Sequence, residues 1–342
     1  MKAVVLEGYG GTEKFALKDM PKPEATLGEV VVRVRSNGLC YHDVIARNGH
    51  FPRTQIPGII GHEVAGEIAE VGPGVTNVGV GDRVLVASQA HCGTCRPCRR
   101  GQTNLCQKGG GLYGEERPGG YAEYMAAKAT TVLKIPDGMS FDAASLIPCA
   151  IGTAYHALKS VAKLTAAETI LITGATGGVG IHAVQIARLL GARVLAVTTN
   201  AAKSDYLRDF GADEVIVAPD MKFDQEARRL TDGEGVEAVL NIIGADAVSS
   251  ALKCLAFGGR HVFVGNLHAE PIQLRPAHVI VKQFSLLGTV IATLAELEEI
   301  IRLVDQGRIK AVIDRTMPLE DAVEAHHLME EGKLQGRIVL HP

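Results

Sequence analysis

Over the first 150 residues, apolar and polar side chains alternate in short runs that end at Gly or Pro. "EVVVRVRSNG", "GHEVAGEIAEVG" and "GDRVLVAS" have the period of half-buried strands, and "VGPGVTNVGVGD" between them is turn chemistry. Further along, the pattern switches to strands alternating with helices. "TILITG" is a buried-strand run, and "GVGIHAVQIARLLGA" places Val179, Val184, Ala187 and Leu190 at helical spacing. "RVLAVTT", "EVIVAP", "VEAVLNIIG" and "RHVFVGN" continue as strands, with "KSDYLRDFGA" and "AVSSALKCLAFGG" as helices among them. Such alternation predicts a parallel sheet with right-handed crossovers. The tail adds the helical runs "TLAELEEIIRLVDQG" and "AVEAHHLMEEG" and a last strand, "RIVLHP".

At 342 residues the chain exceeds one small core, so two domains are expected. The pattern divides it into a β-rich domain over 1–150 and an α/β domain over 151–287. The tail, 288–342, is expected to return to the first domain. The 39 glycines are spread through both halves rather than massed in a linker, as many tight turns require.

Charge narrows the function. The net charge is −3 and Lys and Arg are scattered, so neither a nucleic-acid stripe nor a membrane-binding basic segment is expected. The apolar runs are short and broken by glycine, the chain starts straight into strand alternation, and a cytoplasmic location is expected.

"ILITGATGGVGIHAVQ" places Gly174, Ala175, Thr176, Gly177, Gly178, Val179 and Gly180 between a strand and a helix. Glycines there allow the tight turn and let a pyrophosphate approach backbone N–H groups at the helix start, so a dinucleotide cofactor is predicted. Aligned on the last two glycines of G-x-G-x-x-G, the first position is Ala175. An NAD-preferring site wants a carboxylate after the second strand, to take the ribose 2′-hydroxyl. Here Thr198, Thr199 and Asn200 stand there with Lys203 just beyond, which favours NADP, with NAD possible.

Seven cysteines include Cys92, Cys95, Cys98 and Cys106, spaced C-x2-C-x2-C-x7-C within a lobe at 90–107. Four thiolates around Zn2+ make a closed tetrahedral site with a structural role; an iron–sulfur cluster is the competitor, but no Pro follows the last Cys. Cys254, on a helical run, reads as a small buried hydrophobe. "GLCYHDVIARNGHF" leaves Cys40 as nucleophile, ligand or core residue.

"GLCYHD", "GHEVAGEIAEVG", "VGDRV", the four-cysteine lobe, "PCAIGTAYHAL" and "GATGGVG" together resemble the zinc-containing medium-chain alcohol dehydrogenase family over essentially the whole chain. The resemblance implies a GroES-like catalytic domain joined to a Rossmann-type cofactor domain. It implies a catalytic zinc held by Cys40, His62 and Cys149, hence two zinc ions per chain. Glu63 matches a carboxylate near that metal, Asp43 one that orients the ligand histidine, and Arg337 a basic position that meets cofactor phosphates. Relatives are dimers or tetramers, so a homo-oligomer acting on a small-molecule substrate is expected. The implied reaction passes hydride between nicotinamide and an alcohol, aldehyde or ketone.

The departures from the family lie beside Cys40. Relatives place His or Arg, then Ser or Thr, after that cysteine, and often a relay histidine five positions on. Tyr41, His42 and Ile45 stand there. His42 is the substitute proton carrier, since imidazole titrates near working pH. Alternatively no relay is needed, because a Cys-Tyr-x-Asp start with a Thr-rich NADP-type turn also resembles zinc-containing enoyl reductases, including acryloyl-CoA reductases. A silent cofactor-binding protein or a zinc-ribbon module is disfavoured. The former has no use for an intact ligand set, and three arginines in "CRPCRRG" make a poor basic surface.

Overall fold

A computed structural model describes residues 1–51, 53–268 and 270–342. The chain forms two compact units, Met1–Gly152 with Ile291–Pro342, and Thr153–Val290.

In the first unit the strands run in the order Ile313–Pro318, Arg337–His341, Glu29–Gly38, Glu63–Val71, Arg83–Val86, Val132–Lys134, with Tyr124–Lys128 also paired to Glu29–Gly38. The tail therefore supplies two strands to this sheet. Strand alternation points Val30, Val32, Val34, Val64, Ile68, Val84 and Met125 into one core. One register matters most for the chemistry. Gly38 lies opposite Glu63 in the antiparallel pair, which puts Cys40 and His62 side by side at the end of the ladder. A Cβ at Gly38 would lie 2.2 Å from Glu63 Oε2 and 3.0 Å from Glu63 Cβ, so a side chain there would displace the carboxylate.

Two helical segments in this unit lie where the alternation pattern reads only strands and turns. Tyr41–Arg47 is a helix because Cys40, still extended, precedes it and Asp43 accepts a hydrogen bond from the Cys40 N–H at 3.0 Å. Phe141–Leu146 starts from Ser140, whose hydroxyl accepts from the Ala143 N–H. Pro148 has no N–H for the carbonyl one turn back, and the helix widens to π geometry over Ile147–Ile151.

The second unit is a six-stranded sheet, paired parallel throughout, in the order Glu214–Val217, Arg193–Thr198, Thr169–Ile172, Val236–Asn241, Leu255–Phe263, Ser285–Gly288. Counted from its first strand this is 3-2-1-4-5-6, the doubly wound order whose reversal lies beside Thr169–Ile172. The helix Gly178–Leu189 buries Ile181, Ala183, Val184, Ile186 and Ala187, while Val179 and Leu190 of the expected stripe are only half-buried. The helix expected to run through "AVSSALKCLAFGG" ends at Cys254, and the next strand begins at Leu255. Cys254 itself is fully buried, as a small hydrophobe would be. Among the described residues no helix is long and apolar enough to cross a membrane.

Candidate metal and cofactor sites

Cys40, His62, Glu63 and Cys149 each bring a donor atom into one buried cluster whose atoms lie within 4.8 Å of one another. Each arrives by a different local device. Cys40 caps the helix Tyr41–Arg47, His62 and Glu63 open the strand Glu63–Val71, and Cys149 sits on the widened π turn. Gly61 must be glycine at its φ of +95°, since a Cβ would strike the Tyr121 ring at 2.4 Å.

Hydrogen bonds orient the imidazole. His62 Nδ1 lies 3.1 Å from Asp43 Oδ1, and the His62 carbonyl accepts from the Ser88 hydroxyl at 2.9 Å. A carboxylate can only accept, so Nδ1 carries a hydrogen and Nε2 is the ring nitrogen turned to the thiols. Burial disfavours a His62 cation, but the charge and hydrogen bond of Asp43 outweigh it and raise the pKa. Cys40 and Cys149 are hydrogen-bonded to each other. The hydrogen bond with Cys149, then the charges of Arg337 and His62, bring the Cys40 thiol well below its ordinary range. The same hydrogen bond, with burial, pushes Cys149 well up. Cys40 is the thiol that ionises first.

Glu63 and Arg337 are a buried ion pair. Arg337 Nη2 donates to Glu63 Oε1 at 2.7 Å and to Cys40 Sγ at 3.2 Å, across 297 residues of chain in the second case. Burial raises the Glu63 pKa against the opposing charge of Arg337. Arg337 was expected at cofactor phosphates; its hydrogen bonds instead go to Glu63 and the Cys40 sulfur, in a pocket with 4% exposure.

His42 stands beside this cluster, its ring centroid 5.5 Å from that of His62 and edge-on to Phe51 at 4.8 Å. Its Nε2 is hydrogen-bonded to Glu115, a buried carboxylate 73 residues away. Glu115 was not foreseen. Nothing in "GLYGEERPGG" marks it apart from a turn composition, because its partner is chosen by the fold.

The four cysteines of the second cluster also lie within 4.8 Å of one another and none is in a disulfide. Backbone N–H groups point at sulfur: Cys92 N lies 3.3 Å from Cys106 Sγ, and Cys95 N 3.3 Å from Cys92 Sγ. Hydrogen bonds from the Thr94 hydroxyl and from the Thr94 and Cys95 backbone lower the Cys92 thiol to about 5, whereas burial pushes Cys98 up to about 12. The lobe is tied to the tail of the same unit by Asn104 Nδ2 to the Ile291 carbonyl, 3.3 Å, and by the Leu294 N–H to Thr103 Oγ1, 3.0 Å.

In the second unit the glycine loop joins Thr169–Ile172 to the helix Gly178–Leu189. Gly174 has φ +62°, and a Cβ at Gly180 would lie 2.1 Å from the Gly174 carbonyl oxygen, so the helix packs on the turn only without a side chain there. Gly177 caps the helix with no side-chain acceptor, Ala175 is buried, and Thr176, Gly178 and Val179 complete the turn. Thr198 ends its strand, and its Oγ1 accepts from the Asn200 N–H at 3.2 Å. Asn200 caps the turn Ala201–Lys203, Thr199 is exposed and Lys203 is buried. The first acid after this turn, Asp205, is 94% exposed and pairs with Arg208.

Residues 26–137 match the alcohol dehydrogenase GroES-like domain, and residues 178–306 match the zinc-binding dehydrogenase family. The chain is 37% identical to an acryloyl-coenzyme A reductase of Metallosphaera sedula over 99% of both chains. It is likewise 37% identical to an alcohol dehydrogenase of Geobacillus stearothermophilus over 99% of both. Among solved structures, AibC superposes with a TM-score of 0.93 at 44% identity, covering 100% of this chain and 96% of that one.

Proposed function

Because this chain belongs to the zinc-containing medium-chain dehydrogenase/reductase family and is an oxidoreductase, we propose that it passes hydride between NADP(H) and an alcohol–carbonyl pair at a site holding zinc on Cys40, His62 and Cys149. The observation that carries the reading is the buried donor cluster, in which two thiols converge with an imidazole whose Nδ1 is taken by Asp43, so that Nε2 is the nitrogen offered to the cluster. That donor set suits zinc and leaves a fourth position open. The four-cysteine cluster, with no disulfide among its thiols, suits a second, structural zinc. The cradle around Gly180, too tight for any side chain, suits a pyrophosphate at the helix start.

When bound, zinc supplies a Lewis acid and the nicotinamide supplies or takes the hydride. The chain's own residues do the rest. Asp43 holds the His62 tautomer, and Arg337 balances Glu63 and the Cys40 thiolate. Glu115 occupies His42 Nε2, which orients the ring and leaves Nδ1 to carry a proton. The run from Thr198 to Lys203 has no carboxylate to repel a 2′-phosphate, so NADP is favoured over NAD. Seven cysteines with no disulfide among them fit the cytoplasm, and an edge strand at Ser285–Gly288 with Phe257, Ile280 and Val281 exposed fits a homodimer or homotetramer.

A second reading is reduction of the conjugated C=C of an enoyl-CoA thioester. It is favoured by the acryloyl-coenzyme A reductase relatives and by Ile45, which replaces the relay histidine common among alcohol dehydrogenases. One assay decides. Zinc-analysed protein is mixed with NADPH or NADH and with aldehydes, ketones, enones or enoyl-CoA esters, and loss of nicotinamide absorbance is followed. Turnover of carbonyls supports the first reading, turnover of enoyl-CoA esters alone supports the second, and none with either sinks both. Cys40→Ala should also lower the zinc content by one ion per chain.

A further inference from the structure

Behind Asp43 lies a buried hydrogen-bond chain that the ligand set does not account for. Tyr121 Oη lies 3.4 Å from Asp43 Oδ2 and 3.1 Å from His326 Nε2. Arg47 Nη1 lies 3.3 Å from His326 Nδ1, and Arg47 Nη2 reaches Glu330 at 2.6 Å. Tyr121 and His326 are fully buried, and Arg47 is almost so. The chain joins the helix Tyr41–Arg47 to the helix Ala322–Glu330, with Arg47 and His326 279 positions apart.

The direction of every link follows from one group. A guanidinium donates and never accepts, so His326 Nδ1 must be the acceptor. Burial keeps His326 neutral, holding its pKa down to about 3, so its one hydrogen is on Nε2 and points at the Tyr121 oxygen. Tyr121 then has its hydroxyl hydrogen to give to Asp43 Oδ2, which also accepts from the Cys40 N–H. Asp43 Oδ1 is left for His62 Nδ1–H. Were His326 the other tautomer, two N–H groups would face each other at Arg47.

We propose that Arg47, His326 and Tyr121 are positioning residues: a one-way chain of donors that fixes the Asp43 carboxylate and thereby holds His62 in its zinc-binding tautomer. The inference rests on the reading of Cys40, His62 and Cys149 as a zinc site. Outer partners of a ligand histidine are worth roughly 10- to 100-fold in metal affinity, and a residue one link further out belongs at the lower end.

The test is zinc release from the full-length, zinc-loaded protein to a chromogenic chelator, with the four-cysteine zinc as internal control. Tyr121→Phe, which removes only the hydroxyl, should speed release of one zinc by about 10-fold and leave the other unchanged. His326→Leu should do the same. His326→Gln should stay near wild type, since its amide offers an acceptor to Arg47 and a donor to Tyr121. In an Asp43→Asn background, Tyr121→Phe should add nothing. Unchanged release in Tyr121→Phe, equal acceleration of both zincs, or full additivity with Asp43→Asn would overturn the inference alone. A wild-type protein that binds only the four-cysteine zinc would overturn the zinc reading as well.

Discussion

Arg337→Leu removes one half of the buried ion pair with Glu63, whose side chains are 4% and 0% exposed. The pair contributes little net stability when intact, because desolvation offsets attraction, but removing one partner leaves a carboxylate with no compensation. The cost of such a break is about 3–5 kcal/mol. For a cooperative unit of this size, that lowers the transition of the unit carrying the cluster by roughly 10 °C. Glu63→Gln in the same background removes the orphan charge and should recover most of the loss. The pH dependence has a definite sign. Burial raises the Glu63 pKa, with Arg337 the largest opposing influence. Without Arg337 it rises further, and a carboxyl with a raised folded pKa costs stability as pH increases through that value. The deficit should therefore shrink in mild acid, where Glu63 takes a proton, and widen towards neutral. Calorimetry of the zinc-loaded variants across pH measures it. A shift under about 2 °C, or a double variant as unstable as the single, would refute the argument.

Other substitutions probe the remaining sites. Gly180→Ala puts a Cβ 2.1 Å from the Gly174 carbonyl oxygen and should weaken NADPH binding more than 10-fold by fluorescence titration, whereas the same change at an unhindered helical glycine would stabilise the helix by about 1 kcal/mol. Thr198→Asp keeps an acceptor for the Asn200 N–H and should shift preference from NADPH towards NADH; an unaltered ratio of kcat/KM values contradicts the assignment of that turn. Cys95→Ser should remove one zinc and lower the melting temperature, while the protein that still folds keeps its kcat. His42→Ala should lower kcat by about 100-fold with partial rescue by added imidazole, and an unchanged kcat would exclude His42 from proton transfer.

Local spacing made much of this protein legible. The strand Glu29–Gly38 coincides with "EVVVRVRSNG", and the lobe cysteines and glycine loop stand where their motifs place them. The helix at Tyr41–Arg47 was hidden because its start depends on the Asp43 carboxylate reaching back to Cys40, a cap that the flanking apolar pattern does not encode. The π turn beneath Cys149 was hidden too, since Pro148 alone is equally compatible with a helix end.

By itself, then, the sequence determined what neighbouring residues decide among themselves: strand and helix periods, the glycine turn and the four-cysteine spacing, while resemblance pointed to Cys40, His62 and Cys149, which the fold brings together. Only the tertiary structure decided which distant side chains meet. Arg337 comes to Glu63 and Cys40, Glu115 to His42, and His326 to Tyr121 and Arg47. The physical reason is that these groups are polar or charged and buried, so each must find a partner inside the fold. Strand register and helix packing, rather than separation along the chain, choose that partner.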